Sequence, residues 1–186
     1  MTAPRPMRAD ARRNYERIVA TAREVFLDQG PEAPLDDIAR KACVGAGTLY
    51  RHFPRREDLL EAVYSDDIKR LSDLAYQLLE EHEPREALAL WMREQVGFAL
   101  RKRGLATALK AAMDSDSATF KLCKIVMAEA VTAILDATQK AGVVRTDVEP
   151  RDLLLLAHGV AVGTEANPSA TERLLNVTLD GLKPQT

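Results

Sequence analysis

The sequence predicts an all-α protein, and three observations support this. Apolar residues recur at spacings of three and four in nearly every segment, as expected of helices with one buried face. No segment alternates apolar and polar residues between turn signals, as a half-buried strand would. Near the N-terminus, two short helical segments joined by a tight turn precede a long one. We expect about nine helices.

The helix boundaries follow from the periodicity and from the residues that interrupt it. The first four helices are predicted over Ala9–Gln29, Leu35–Ala42, Ala46–His52 and Pro54–Glu81. Gly30 and Pro31 end the first helix, and Gly45 is the turn residue expected to take a left-handed conformation. Five further helices are predicted over Arg85–Arg101, Leu105–Met113, Ala118–Ala141, Pro150–Gly163 and Ser169–Leu182.

Composition limits the class of protein. The 186 residues correspond to about 1.2 domains at about 150 residues each, and 46% hydrophobic with 29% charged residues is ordinary for a globular chain. Cys43 and Cys123 fit no disulfide framework and no zinc-ligand spacing. The longest uncharged run, Leu153–Thr164, is too short to cross a bilayer, and no apolar segment follows the basic start. We expect a cytoplasmic protein with no membrane partner and no cofactor.

Positive charge is concentrated at the N-terminus. Residues 1–60 carry 11 Lys and Arg against 9 Asp and Glu, a net +2, whereas residues 61–186 carry 15 against 19, a net −4. A basic terminal arm is typical of nucleic-acid binding, but also of a solvated disordered tail. We predict residues 1–8 as a flexible basic arm.

The second and third predicted helices form a helix-turn-helix, whose second helix can lie in the DNA major groove. Its exposed face combines Arg and Thr, which read base edges or bind phosphate, with Tyr and His, which donate to phosphate oxygens. A polar helix on the surface of a bundle would have the same composition, so the pattern alone leaves that alternative open. The candidate DNA-binding residues are Gly47, Thr48, Tyr50, Arg51, His52, Arg55 and Arg56, with Arg12 and Arg13 nearer the N-terminus.

The segment Leu35–Leu60, LDDIARKACVGAGTLYRHFPRREDLL, resembles the DNA-binding domain of TetR-family transcriptional regulators. Thr48–Phe53 matches the family's recognition helix residue for residue, and the similarity extends back to about Arg13. The resemblance implies an all-α homodimer with an N-terminal three-helix DNA-binding domain, residues 9–55 here. It also implies a C-terminal ligand-binding and dimerisation domain, residues 56–186, in which an inducer changes the spacing of the recognition helices and releases the operator.

Four residues depart from the family's pattern. They are Pro34 and Gly45, where Ser or Thr usually caps a helix, Cys43, where the turn usually has Gly, and Arg56, where a phosphate-binding Lys is usual. A guanidinium also binds phosphate, so we expect Arg56 to take over that contact. Ala46 and Gly47 offer no side chain that reads bases, and direct readout is therefore expected from Thr48 and Arg51.

The C-terminal half carries large, adaptable side chains suited to a cavity, although ordinary core packing would use the same residues. The candidate ligand-binding residues are Trp91, Gln95, Phe98, Met113, Phe120, Cys123 and Met127, and His158 is a second candidate polar anchor. The last two helices have a side poor in charge, on which two helices from each protomer are expected to form a four-helix interface. Its predicted residues are Leu153, Leu154, Leu156, Ala157, Val160, Ala161, Leu174, Leu175, Val177 and Leu182.

Enzymatic motifs were also sought. The sequence contains no Gly-rich phosphate loop, no GxSxG and no HExxH, and its three histidines are scattered, so we do not expect an enzyme or a metal site. The favoured function is a sequence-specific regulator, a repressor released from a double-stranded operator by a small molecule of unknown identity. The alternative is a helical small-molecule-binding dimer with weak or no specific DNA binding.

Overall fold

The computed structural model describes residues 5–112 and 118–184, with side chains described for residues 9–101 and 118–184. Within these residues the chain forms eight α-helices, one short 3₁₀ turn at Pro168–Ala170 and no strand, which confirms the predicted all-α class. The helices are α1 Arg5–Gln29, α2 Leu35–Lys41, α3 Ala46–His52, α4 Arg56–Glu81, α5 Pro84–Ala112, α6 Ala118–Lys140, α7 Pro150–Thr164 and α8 Thr171–Gly181. None of these helices has the length and apolarity needed to span a membrane.

Two helices differ from the predictions. α5 is continuous where two helices were predicted, because a glycine within a helix costs only about 1 kcal/mol and ends it only when it turns left-handed. α1 begins at Arg5, so residues 5–8, predicted as part of a flexible arm, belong to the helix. The predicted Met113 lies outside the described residues.

The described chain divides into two compact units. The first contains α1 to α3, α4 as far as Asp66 and the end of α5 from Gly104. The second contains α4 from Asp67, α5 as far as Arg103 and the chain from Phe120.

The core of the first unit forms where α1, α2 and α3 pack on one another. α1 buries Ile18, Val19, Ala22, Val25 and Phe26. α2 adds Ile38 and Ala39, and α3 adds only Leu49, which is fully buried. Burying a side chain of this size contributes about 1.5–3 kcal/mol, so Leu49 is the main apolar attachment of α3.

The turn between α2 and α3 corrects a prediction. Gly45 has φ −67° and ψ 146° and is the extended N-cap of α3, whereas Cys43 takes the left-handed conformation at φ +54°. The Val44 N–H donates to the Ala39 carbonyl (3.0 Å) and the Cys43 N–H to the Arg40 carbonyl (3.1 Å). These two bonds form a Schellman motif, in which the residue after the C-cap must be left-handed whatever its side chain. The residue that takes the strained left-handed conformation is therefore determined by its position after the C-cap of α2, and not by its side chain.

Polar contacts connect the helices of the second unit. The Trp91 indole N–H donates to the Leu71 carbonyl (3.0 Å), which joins α5 to α4. The Gln139 amide donates to two carbonyls of the α6–α7 loop, at 3.0 Å each. α7 then begins with a capping box between Glu149 and Asp152.

The structure corrects the predicted interface stripe of α7 and α8. Six of its ten residues are buried within the protomer, namely Leu153, Ala157, Val160, Ala161, Leu175 and Leu182. Leu154 is half-buried, and Leu156, Leu174 and Val177 are exposed. Leu155 and Val162, which were not predicted, are exposed as well. α7 is apolar on most sides, so periodicity alone did not distinguish its inner face from its outer face.

The left-handed Cys43 generates a stability prediction. A non-glycine residue is destabilised by about 1–2 kcal/mol in this conformation, and glycine avoids that cost. Glycine also makes the unfolded chain more flexible, which offsets about 0.4–1 kcal/mol of the gain. We expect Cys43→Gly to stabilise the protein by about 0.5 kcal/mol and Cys43→Val, which adds β-branching, to destabilise it. Urea unfolding of both variants measures this, and equal midpoints for all three proteins would contradict it.

Candidate nucleic-acid interface

α3 presents a compact polar surface at one end of the first unit. With Leu49 buried, the helix exposes Gly47, Tyr50 and Arg51 and leaves Thr48 half-buried. In the described part of the chain, Arg51 makes no ion pair or hydrogen bond, so its guanidinium is available for a planar acceptor such as the edge of guanine. Together with His52, five of the predicted DNA-binding residues thus share one short helix.

His52 is held in place by aromatic contacts. Its ring centroid lies 6.0 Å from that of Tyr15 on α1, which in turn lies 5.1 Å from Phe53. Burial is the largest effect that raises the pKa of Tyr15, and the carboxylates of Asp66 and Glu61 add to it. The cluster fixes the C-terminal end of α3 against α1, a contact that the sequence reasoning did not identify for Tyr15.

Arg55 is paired within the protein. Its Nη2 donates to Asp58 Oδ1 at 2.6 Å, and its backbone N–H donates to Asp58 Oδ2 at 2.9 Å. The side-chain bond from Arg55 is the main reason why the pKa of Asp58 is lowered. Asp58 thereby caps the beginning of α4 while it holds the guanidinium close to that helix.

Arg56 points in an unexpected direction. Its Nη1 donates to the carbonyls of Pro31 and Ala33, both at 2.7 Å, and the bonds are partly buried. Those carbonyls belong to the loop before α2, a helix whose N-cap Pro34 provides no side-chain hydrogen bond. The guanidinium therefore anchors the segment that leads into the helix-turn-helix, which the sequence did not indicate.

The two predicted basic residues of α1 are paired along that helix. Arg12 Nε donates to Glu16 at 2.8 Å, and Arg13 donates to Asp10. Both arginines are exposed. Lys41, at the end of α2, is an exposed cation that was not among the predicted residues. Its position in the last turn of the first helix of the helix-turn-helix could have identified it.

The predicted ligand-binding residues of the second unit differ in exposure. Trp91, Gln95, Cys123 and Met127 are buried, whereas Phe98 and Phe120 are half-buried. Gln95 Nε2 donates to Met127 Sδ at 3.2 Å, so these two predicted residues meet. His158 is exposed on α7 and not part of this buried set.

Comparison with known proteins connects this geometry to a family. Residues 18–63 match the family model described as bacterial regulatory proteins, tetR family. Residues 83–184 match the C-terminal domain described as transcriptional regulator SbtR-like. An uncharacterized HTH-type transcriptional regulator, TtgW of Pseudomonas putida, is 48% identical over 56 residues, which are 30% of this chain and 42% of that protein. The chain spans less than half the length of the curated relatives that it matches first, including Staphylococcus aureus regulators that are 40% identical over 63 residues.

Two solved structures are similar over nearly their whole length. A TetR transcriptional regulator from Streptomyces coelicolor is 39% identical with a TM-score of 0.81, and 92% of this chain and 99% of that chain are covered. The TetR transcription regulatory protein from Mycobacterium vanbaalenii is 36% identical with a TM-score of 0.80, and 96% and 99% are covered. Because the C-terminal family model covers more than half of the sequence and the helix-turn-helix matches the N-terminal one, this chain belongs to the TetR family of DNA-binding transcriptional regulators.

Proposed function

We propose that the protein is a homodimeric repressor that binds a pseudo-palindromic operator through α3 and is released by a small-molecule inducer. The observation that carries the proposal is the surface of α3, where Arg51 is exposed and unpaired in the described part of the chain beside Thr48 and Tyr50. Titration of the chain against duplex from its own upstream region, with scrambled duplex as competitor, tests it. A specific regulator binds its operator at least a thousandfold more tightly than scrambled DNA.

Arg51 is the proposed base-reading residue, and Arg51→Ala tests it. We expect operator affinity to fall by about 1–3 kcal/mol and the preference at one base step to relax, because a guanidinium bonds two acceptors of one guanine. Lys140→Ala, which removes an exposed cation at the end of α6, is the matched control and should change nothing. An equal loss on operator and scrambled DNA for Arg51→Ala would contradict base reading.

Arg56 is proposed to support the interface from inside. Because its guanidinium bonds two loop carbonyls, we expect Arg56→Ala to lower the free energy of unfolding by about 2 kcal/mol. Operator affinity should also fall, while the slope of log affinity against log salt stays the same. A phosphate ligand behaves differently, since its loss reduces that slope by about 0.9. A flatter slope with unchanged stability would restore the phosphate-binding role expected from the sequence.

The dimer is proposed to form through α7 and α8. Leu155 and Val162 on α7 and Leu174 and Val177 on α8 are exposed apolar residues, and a Cβ built at Gly159 or Gly163 meets no atom within 4 Å. Such small residues let a second pair of helices approach closely, and a two-fold pairing buries both copies of the face. The same symmetry places two recognition helices on one operator.

Val177, the most exposed apolar residue of α8 at 62%, provides the test of the dimer. We expect Val177→Glu to yield a monomer in light scattering at micromolar concentration, because an isologous interface would bury the unpaired carboxylate of each copy in an apolar contact. Asn176→Glu, at the neighbouring exposed position, is the control that should remain dimeric. A wild-type monomer, or a dimeric Val177→Glu variant, would contradict this interface.

The inducer is proposed to bind near Gln95 and Met127. A thioether is a weak acceptor, so a ligand carbonyl or hydroxyl can replace it as the partner of the Gln95 amide. We expect compounds that release the wild-type protein from its operator to lose potency against Gln95→Leu, with operator affinity without compound unchanged. The measurement is fluorescence anisotropy of labelled operator, and undiminished potency would remove Gln95 from the inducer site.

A further inference from the structure

α5 and α8 lie antiparallel in the second unit, and their facing residues form three levels. At one level, the Arg93 guanidinium donates to both carboxylate oxygens of Glu172, each at 2.9 Å. At the other end, the hydrogen bond from the Lys183 ammonium is the main effect that lowers the pKa of the Asp180 carboxyl. The positive charge of the nearby Arg85 lowers the pKa of Asp180 further. Between these levels lie Ala89 on α5 and Asn176 on α8, each four positions from both charged residues of its helix. Because Ala89 is small, a space that Ala89 and Asn176 both line opens beside Arg85 and Asp180.

This space is a groove of about 430 Å³, a volume within the usual range of small-molecule sites. Its apolar lining comes from three elements: Leu88 on α5, Leu179 on α8, and Val143 and Val144 in the α6–α7 loop. Leu88 and Val144 are almost completely buried, so the floor is fixed by the core. The charged levels are eight residues apart on each helix, which corresponds to about 12 Å.

The mouth of the groove carries a net charge of one positive unit. Lys183 Nζ pairs with Asp180 Oδ1 at 2.6 Å, and these two charges compensate each other. Arg85 is exposed and makes no ion pair within 4 Å in the described part of the chain. It also lies in the first turn of α5, where the helix dipole adds positive potential. Apolar lining residues below a single excess cation are complementary to one anionic group on an apolar chain.

We propose that the α5–α8 groove is a binding site for a small amphiphilic carboxylate, with the carboxylate on Arg85 and the chain over Leu88, Val144 and Leu179. None of the groove residues is among those proposed for the inducer near Gln95, so this is a separate site. It also lies on a different side of α8 from the proposed dimer face. At 100° per residue, Asn176 lies 40° around α8 from Glu172, which faces α5, and it lies 100° from Val177 and 160° from Leu174.

Octanoate below its micelle concentration is the probe, and isothermal titration calorimetry on the full chain without DNA is the measurement. We expect saturable binding of one octanoate per chain. Arg85→Gln should weaken octanoate at least tenfold and leave octan-1-ol within twofold, because only the anion uses the guanidinium. Ala89→Met, which fills the groove, should weaken both ligands at least tenfold. Arg151→Gln, which neutralises an exposed arginine of α7 outside the groove, is the matched control and should bind as wild type does.

A second blocking variant protects the test against misfolding. Asn176→Phe covers the same groove from an exposed position on α8, so it should abolish binding even if Ala89→Met unfolds. Absence of saturable octanoate binding would overturn the proposal, and so would binding that survives Asn176→Phe or ignores Arg85→Gln. Because no DNA is present, either result is independent of the proposed operator binding, which is measured separately.

Discussion

A helix of seven residues is not stable alone in water, and the proposed DNA-binding surface depends on this constraint. α2 and α3 are both of this length, and neither N-cap makes a side-chain hydrogen bond. Their positions therefore come from tertiary contacts: Leu49 in the core, the Schellman turn through Cys43, the Tyr15 cluster and the Arg56 bonds to the preceding loop. Each of these contacts replaces stability that longer or better capped helices would supply themselves.

The ends of α3 were predictable because local chemistry determines them, with Gly45 before the helix and Pro54 after it. The polar face was predictable as well, since a helix that buries one leucine must expose the rest. The left-handed residue was not, because the hydrogen-bond pattern at the end of α2 selects Cys43 whereas composition pointed to Gly45. The bonds of Arg56 to the loop were not predictable for a related reason. Its partners lie more than 20 residues away in the chain, and only the folded unit brings them to the guanidinium.

The two sides of α8 illustrate where sequence patterns stop being informative. Leu174 and Leu175 are adjacent and chemically identical, yet one is 37% exposed and the other fully buried. Burial of Leu175 and Leu182 in the core sets the rotation of α8, and the exposed Arg93–Glu172 bridge accompanies that rotation. Periodicity predicted an apolar helix there, but the assignment of its faces depended on which leucine the folded unit buries.

The cations near the proposed interface show what DNA binding must exchange. Arg12, Arg13 and Arg55 are each paired with a carboxylate three or four residues away, and all three arginines are exposed. Such exposed pairs contribute about 0–1 kcal/mol, less than a charge-assisted bond to phosphate in a closed interface. A phosphate can therefore displace Glu16, Asp10 or Asp58 at small cost.

Arg56 differs from these arginines, because its partners are carbonyls in a partly buried loop. If the guanidinium left these carbonyls, the segment that orients α2 would lose both hydrogen bonds. Near the proposed interface, the described residues thus place exchangeable cations at the surface and, beneath it, a cation held by loop carbonyls.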